Sequence, residues 1–137
     1  LVLTCALIGA AFDSLLVAAG WVSYKSGQFS SFLAPYWIIT MWMLFATTLN
    51  VSMRWMRGRY VLAALFGAIG GPLSYYAGAR LGAMTFVDTG SAVTALAIGW
   101  GLAMPLLMWL AARFEQRGRT QRPAFIKDSW REAKDNA

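Results

Sequence analysis

The sequence predicts an all-α integral membrane protein, a bundle of about four transmembrane helices followed by a basic cytoplasmic C-terminal tail. Of its 137 residues, 58% are hydrophobic and only 13% are charged, whereas about a quarter of the residues of a typical soluble domain are charged. Four apolar segments approach the roughly 20 residues that a helix needs to cross the hydrocarbon core. The basic residues are concentrated in one short turn and in the tail.

The four predicted spans form one domain over residues 1–112. They cover residues 1–24, 35–53, 60–81 and 91–112. Pro35 suits the first turn of the second helix, with Ser31 before it as a possible cap, and Ser91 is the expected N-cap of the fourth helix. The connections are short, so neighbouring helices should run antiparallel.

The distribution of positive charge predicts the orientation of the bundle. The turn at residues 54–59 holds three Arg and the tail from Arg113 holds seven Lys and Arg, whereas Lys25 and Arg80 are the basic residues of the other two connections. Cytoplasmic loops carry the excess of Lys and Arg. The count of ten against two therefore predicts that the 54–59 turn and the C-terminus face the cytoplasm.

The tail, residues 113–137, is expected to leave the bundle. Gly118 and Pro123 should end the fourth helix, and Pro123 can begin a short helix in which Ile126 and Trp130 share a face. Such a segment suits the anionic membrane surface; the alternative is a solvated tail. The chain opens at Leu1 in apolar sequence, and we expect a further segment before it.

The residue inventory argues against several functions. Histidine is absent and Cys5 is the single cysteine, which excludes His-ligated haem, the usual zinc sites and an intramolecular disulfide. No arrangement typical of catalytic residues or of a phosphate-binding loop is present. We therefore expect no catalytic residues, metal or cofactor. Membrane lipids and other membrane-protein subunits are the expected partners, and nucleic acid is not, because the apolar body has no basic face.

Small residues in the third predicted helix indicate close helix packing. Ala63, Gly67 and Gly71 recur at a four-residue spacing, which Gly78 and Gly82 repeat. This spacing lets two helix backbones approach closely in lipid. The third helix should therefore be the most crowded element of the bundle.

The same helix contains Gly70, Gly71 and Pro72 near its middle. Pro72 cannot donate a hydrogen bond to the carbonyl of Ala68, and its ring opens that turn. A kink or short break at mid-membrane is expected. It can serve packing alone, or it can form a binding site, as interrupted helices do in many transporters.

Asp13 is the second unusual residue, because an acid near the bilayer centre costs at least about 2.5 kcal/mol. It lies roughly 16 Å along the first helix from its outer end, at about the depth of Gly70. The carboxyl group is either proton-linked or ligand-binding, or it anchors the first helix to the third by accepting hydrogen bonds from Ser74, Tyr75 or the opened turn. We also consider that one polar cavity contains the following residues: Asp13, Asn50, Ser74, Tyr75 and Arg80.

Several stretches resemble the bacterial family of domain of unknown function 2878 (DUF2878). They are FDSLL at 12–16, LAPYWIITMWMLFATTLN at 33–50, RWMRGR at 54–59 and GAIGGPLSYYAGARLGA at 67–83. The resemblance covers about residues 1–113 and implies an uncharacterised multi-pass inner-membrane protein. It directs attention to the matched polar and helix-breaking positions, which are Asp13, Asn50, Gly70, Gly71, Pro72, Tyr75 and Arg80.

The resemblance carries no established activity. Genes of the family are described near those of cyclopropane fatty-acyl phospholipid synthases and related oxidoreductases, which implies a role in lipid modification or membrane organisation. Three functions stay open: an accessory protein that binds lipid or anchors lipid-modifying enzymes, a small proton-linked or lipid transporter that uses Asp13 and a kinked third helix, and a structural subunit of a larger membrane complex.

Overall fold

The chain is mostly helical, as predicted. A computed structural model describes residues 1–120, with side chains up to residue 116. Its elements are α1 (Val2–Ala18), β1 (Val22–Tyr24), α2 (Tyr36–Asn50), a 3₁₀ turn (Arg54–Met56), α3 (Tyr60–Arg80), β2 (Met84–Phe86) and α4 (Thr89–Thr120). By length and composition, α3 and the part of α4 up to Gln116 could each cross a membrane.

The helix boundaries differ from the predicted spans at three places. The first span was expected to reach residue 24, but α1 ends at Ala18 because the chain turns at Gly20, where φ is +71°. The second ends at Asn50 and gives way to the 3₁₀ turn. The fourth continues past Gly118 to Thr120, since a single glycine costs a helix only about 1 kcal/mol. The predicted interfacial segment after Pro123 lies outside the described residues.

A short antiparallel sheet joins the α1–α2 and α3–α4 connections, and its first strand occupies residues that were expected to end the first helix. β1 pairs with β2 in the register Val22↔Phe86, Ser23↔Thr85 and Tyr24↔Met84. Val87 extends the ladder by donating its backbone N–H to the carbonyl of Trp21 at 3.0 Å. The α1–α2 and α3–α4 connections therefore lie together at one end of the molecule.

Ionic contacts join the α2–α3 turn to the C-terminal part of α4. Arg54 donates to the carboxylate of Glu115 on α4 at 3.1 Å, and Arg57 donates to the same carboxylate. The basic α2–α3 turn therefore lies beside the C-terminal part of α4, at the opposite end from the sheet. Antiparallel neighbouring helices place these two segments at the same end of the bundle.

The helices pack as two close pairs, α1 with α2 and α3 with α4, whereas α2 and α3 hardly touch. Glycines make both close pairs possible. A Cβ at Gly71 would overlap the ring of Trp100 on α4, and a Cβ at Gly67 would overlap the backbone of the same residue. In the other pair, a Cβ at Gly9 would overlap the ring of Trp42.

The other glycines in and after α3 do not form the close helix contact that their spacing predicted. Gly78 faces Met84 of β2 with ordinary spacing, and a Cβ at Gly70 would have no atom closer than 4.0 Å. Gly82 has a φ of +82° and ends α3, where glycine is favoured because it has no Cβ.

The expected interruption of α3 does not take the form of a break. The helix is continuous from Tyr60 to Arg80 through Pro72. One missing hydrogen bond in a helix of 21 residues leaves most of the ladder intact, and the Ser74 hydroxyl donates to the nearby carbonyl of Gly70 at 2.8 Å.

Asp88, not Ser91 as expected, caps α4. Its carboxylate accepts the backbone N–H of Ser91 at 3.2 Å and the Ser91 hydroxyl at 2.6 Å, which satisfies a donor that every helix N-terminus leaves free. Hydrogen bonds from Ser91 hold the pKa of the exposed Asp88 carboxyl below its ordinary value.

Replacing Gly71 should weaken the α3–α4 pair, whereas replacing Gly70 should not. We expect Gly71→Ala to lower the free energy of unfolding by about 1–3 kcal/mol through overpacking against Trp100. Gly70→Ala should raise it by up to about 1 kcal/mol, because alanine is the better helix former. Thermal unfolding of both variants in one detergent checks this, and equal effects would contradict the described packing.

The Asp88 cap should make stability depend on pH. Since the folded state lowers this pKa, the stabilisation is complete above the unfolded value of about 3.9 and is lost as the pH falls through the lower folded value. Thermal midpoints measured from pH 7 down to strong acid should show it. The matched control is Asp88→Asn, which caps without titrating, and a wild-type advantage that stays constant over this range would refute the effect.

Candidate functional site

Asp13 is the centre of a buried polar cluster that joins four elements. Its side chain, on α1, is fully buried. Oδ1 accepts the hydroxyl of Tyr24 on β1 at 2.9 Å and the hydroxyl of Tyr75 on α3 at 2.5 Å, and Oδ2 accepts the indole N–H of Trp42 on α2 at 2.8 Å. We call these four residues the Asp13 cluster.

The local sequence of α1 explains the position of Trp42. Gly9 and Asp13 are four residues apart and therefore share one face of α1. The bare backbone at Gly9 admits the Trp42 ring, and the indole N–H then reaches the carboxylate one turn further along. On its other side, Trp42 stacks on Trp100 of α4, with ring centroids 4.5 Å apart and an interplanar angle of 12°.

The cluster works as a hydrogen-bond anchor. Neutral hydroxyl and indole groups satisfy a buried carboxyl group and are themselves satisfied, which avoids the cost of unpartnered polar atoms in apolar surroundings. Anchoring of α1 to α3 through Tyr75 was one of the two interpretations of Asp13 from the sequence. Ser74, the other proposed donor, is bonded to Gly70 instead.

Sequence reasoning missed Tyr24 and Trp42. Tyr24 was placed at the end of the first predicted span, and its strand was not recognised. Trp42 carried a usable signal: it lies in the middle of a predicted span, whereas tryptophan is enriched at membrane interfaces. A central tryptophan needs an acceptor for its N–H, and Asp13 offers one at a similar depth.

The structure does not bring the five predicted cavity residues together. Asp13 and Tyr75 are in contact. Asn50 lies at the opposite end of the molecule, where its side-chain oxygen accepts a hydrogen bond from Arg57. Ser74 bonds its own helix, and Arg80 is exposed at the end of α3.

An apolar groove lies between α2 and α3, with α4 behind it. The α2–α3 groove encloses about 490 Å³ and is open on one side. Its lining is almost entirely apolar and includes Met41, Trp42, Phe45, Gly70, Tyr75 and Met104. Asp13 does not line it.

The groove follows from the pairing of the helices. Because α2 packs on α1 and α3 packs on α4, the facing sides of α2 and α3 are left apart. Gly70 and Gly78 line this space without filling it. The two glycine positions that do not serve the α3–α4 contact therefore widen the groove.

The chain belongs to the DUF2878 family, as its motifs indicated. The family model, described as a protein of unknown function, matches residues 1–106, which include α1, α2, α3, both strands and the first part of α4. No curated protein and no solved structure matches the chain. The match thus establishes the family but assigns no function to the Asp13 cluster or to the groove.

Removing the Asp13 carboxyl group should destabilise the fold strongly. Asp13→Ala leaves three buried donors without an acceptor, so we expect the free energy of unfolding to fall by at least about 3 kcal/mol. Asp13→Asn, which keeps one oxygen, should cost less, and Tyr75→Phe about 1 kcal/mol. Unfolding in detergent measures these losses, with the exposed Leu15→Ala as control. An Asp13→Ala variant as stable as that control would refute the anchor.

Proposed function

We propose that this protein is a multi-pass membrane protein that binds the acyl chain of a membrane lipid in the α2–α3 groove. It would serve as an accessory protein in the modification or organisation of bacterial inner-membrane lipids. The observation that carries this proposal is a partly open apolar groove between two helices whose exposed side chains are also largely apolar.

The exposed surface supports a position in the membrane. Only 22% of the apolar window of α3 and 28% of that of α4 is buried, whereas a core helix of a soluble protein would be mostly covered. Large apolar side chains more than half exposed occur on all four helices, namely Leu3, Leu7, Leu15, Leu44, Ile69, Leu73, Ile98 and Leu102. Exposed apolar surface of this extent marks a surface that contacts lipid or protein.

All four helices can be accommodated in a bilayer, with the basic end on the cytoplasmic side. α1 and α2 rise only about 26 and 22 Å, against a hydrocarbon core of about 30 Å, and local thinning of the bilayer accommodates short helices. The α2–α3 turn and the end of α4, which lie together, carry the excess of Arg. The positive-inside rule places them in the cytoplasm.

The groove has suitable dimensions for one acyl chain. The part of α3 that lines it, from Phe66 to Gly78, rises about 18 Å, compared with about 15 Å for half the hydrocarbon core. Its volume of about 490 Å³ lies within the range of small-molecule sites. Met41, Met53 and Met104 along its walls are flexible and can adapt to a disordered chain.

A proton-linked carrier is less well supported. Its central residue would be Asp13, which is fully buried, accepts three hydrogen bonds and does not line the groove. Such a carboxyl group holds helices together and offers no binding surface to a substrate. The accessory role therefore ranks above transport.

A groove-filling substitution tests the proposal. The wild-type protein, extracted in native lipid and analysed by native mass spectrometry, should retain lipid, and Gly70→Leu should lower the retained amount about tenfold, equivalent to about 1.4 kcal/mol of binding. The control Ala77→Leu introduces the same side chain at an exposed position outside the groove.

Three outcomes would count against the proposal. Wild-type protein that retains no lipid would refute acyl binding, and so would equal retention by the two leucine variants. Recovery of a stoichiometric partner protein without lipid would favour a structural subunit of a larger complex.

A further inference from the structure

We propose that the occupant of the α2–α3 groove is an anionic phospholipid whose phosphate binds Lys25 at the sheet end of the groove. This inference rests on the proposed acyl-chain binding and adds the headgroup, its charge and the end at which it lies.

Lys25 is positioned at the mouth of the groove by the sheet. It follows β1 directly, and its backbone N–H donates to the carbonyl of Ala83 at 3.4 Å. Its Nζ lies 3.7 Å from the place that a Cβ on Gly82 would occupy. Both neighbours of Gly82, Leu81 and Ala83, line the groove. The ammonium group therefore lies beside the end of the apolar lining.

The charge of Lys25 is available for a ligand. Among the side chains described up to residue 116, the ion pairs are those of Arg54 and Arg57 with Glu115, at the opposite end. Lys25 has no carboxylate within ion-pair distance in this part of the chain. Neither Lys25 nor Arg80 lines the groove, but the Lys25 Nζ lies beside Gly82, between the two lining residues Leu81 and Ala83. Charge complementarity therefore favours an anionic group at Lys25.

Aromatic residues at the sheet end of the groove indicate that this end lies at the depth of the lipid headgroups. Trp37 lines the groove there and donates its indole N–H to the carbonyl of Ser26, next to Lys25, at 3.1 Å. Tyr36, next to Trp37 in the chain, is 56% exposed at this end. Such amphipathic rings are typical of the depth at which phosphates and glycerol meet the acyl chains. The phosphate would then lie by Lys25 and the acyl chain would run along α3 towards Gly67.

Lipid selectivity tests the inference on the full chain. Protein in nanodiscs of equal parts phosphatidylglycerol and phosphatidylcholine, released for native mass spectrometry, should retain the anionic lipid with about tenfold preference. Lys25→Gln should abolish the preference, whereas Lys25→Arg should keep it. The control Arg80→Gln removes a charge from the same end of the bundle and should change nothing. Inorganic phosphate should not displace the lipid, because it lacks the acyl chain.

The outcomes separate this inference from the proposed function. If Gly70→Leu removes both lipids while Lys25→Gln leaves their ratio unchanged, acyl binding stands and the headgroup assignment is overturned. If Arg80→Gln abolishes the preference as fully as Lys25→Gln does, general surface charge explains it and the assignment is again overturned. Wild-type protein that retains neither lipid would overturn both proposals.

Discussion

The arrangement of the helices depends on one buried carboxyl group. Asp13 accepts hydrogen bonds from β1, α2 and α3, and each donor would be costly in apolar surroundings without it. Dispersion contacts between apolar helices specify the relative orientation of the helices only weakly. Three directional hydrogen bonds to one carboxyl group fix the relative positions of α1, α2 and α3. Trp42 carries the constraint to α4 by stacking on Trp100.

The same bonds determine the character of the α2–α3 groove. Trp42 and Tyr75 both line the groove, yet the indole N–H and the phenol hydroxyl are bonded to Asp13. Their polar atoms are thus used inside the cluster while their rings contribute apolar surface to the groove. The hydrogen bonds to Asp13 therefore both join the helices and leave the groove with an apolar lining.

The sequence predicted what depends on composition and on local spacing. Apolar segments predicted the helices, and the excess of Arg predicted that the α2–α3 turn and the end of α4 lie together. Tyr75 was correctly named as a donor to Asp13, but the depth of Asp13 was overestimated, because α1 ends at Ala18 and not at residue 24. The β1–β2 pairing depends on contacts between residues distant in the chain, which no local pattern encodes, whereas the mid-span position of Trp42 was a signal that was not used. Asn50 was misassigned because a polar residue near a helix end can equally bond a loop, as it does with Arg57.

Gly70 provides the strongest argument that the groove is more than a gap between two helix pairs. Gly67 and Gly71 are required by the contact with Trp100, but a Cβ at Gly70 would meet nothing closer than 4.0 Å. Glycine inside a helix costs about 1 kcal/mol relative to alanine, and neither φ nor packing requires it at this position. A side chain there would, however, narrow the groove, which Gly70 lines. Glycine at this position keeps the groove wide, as the proposed binding of an acyl chain requires.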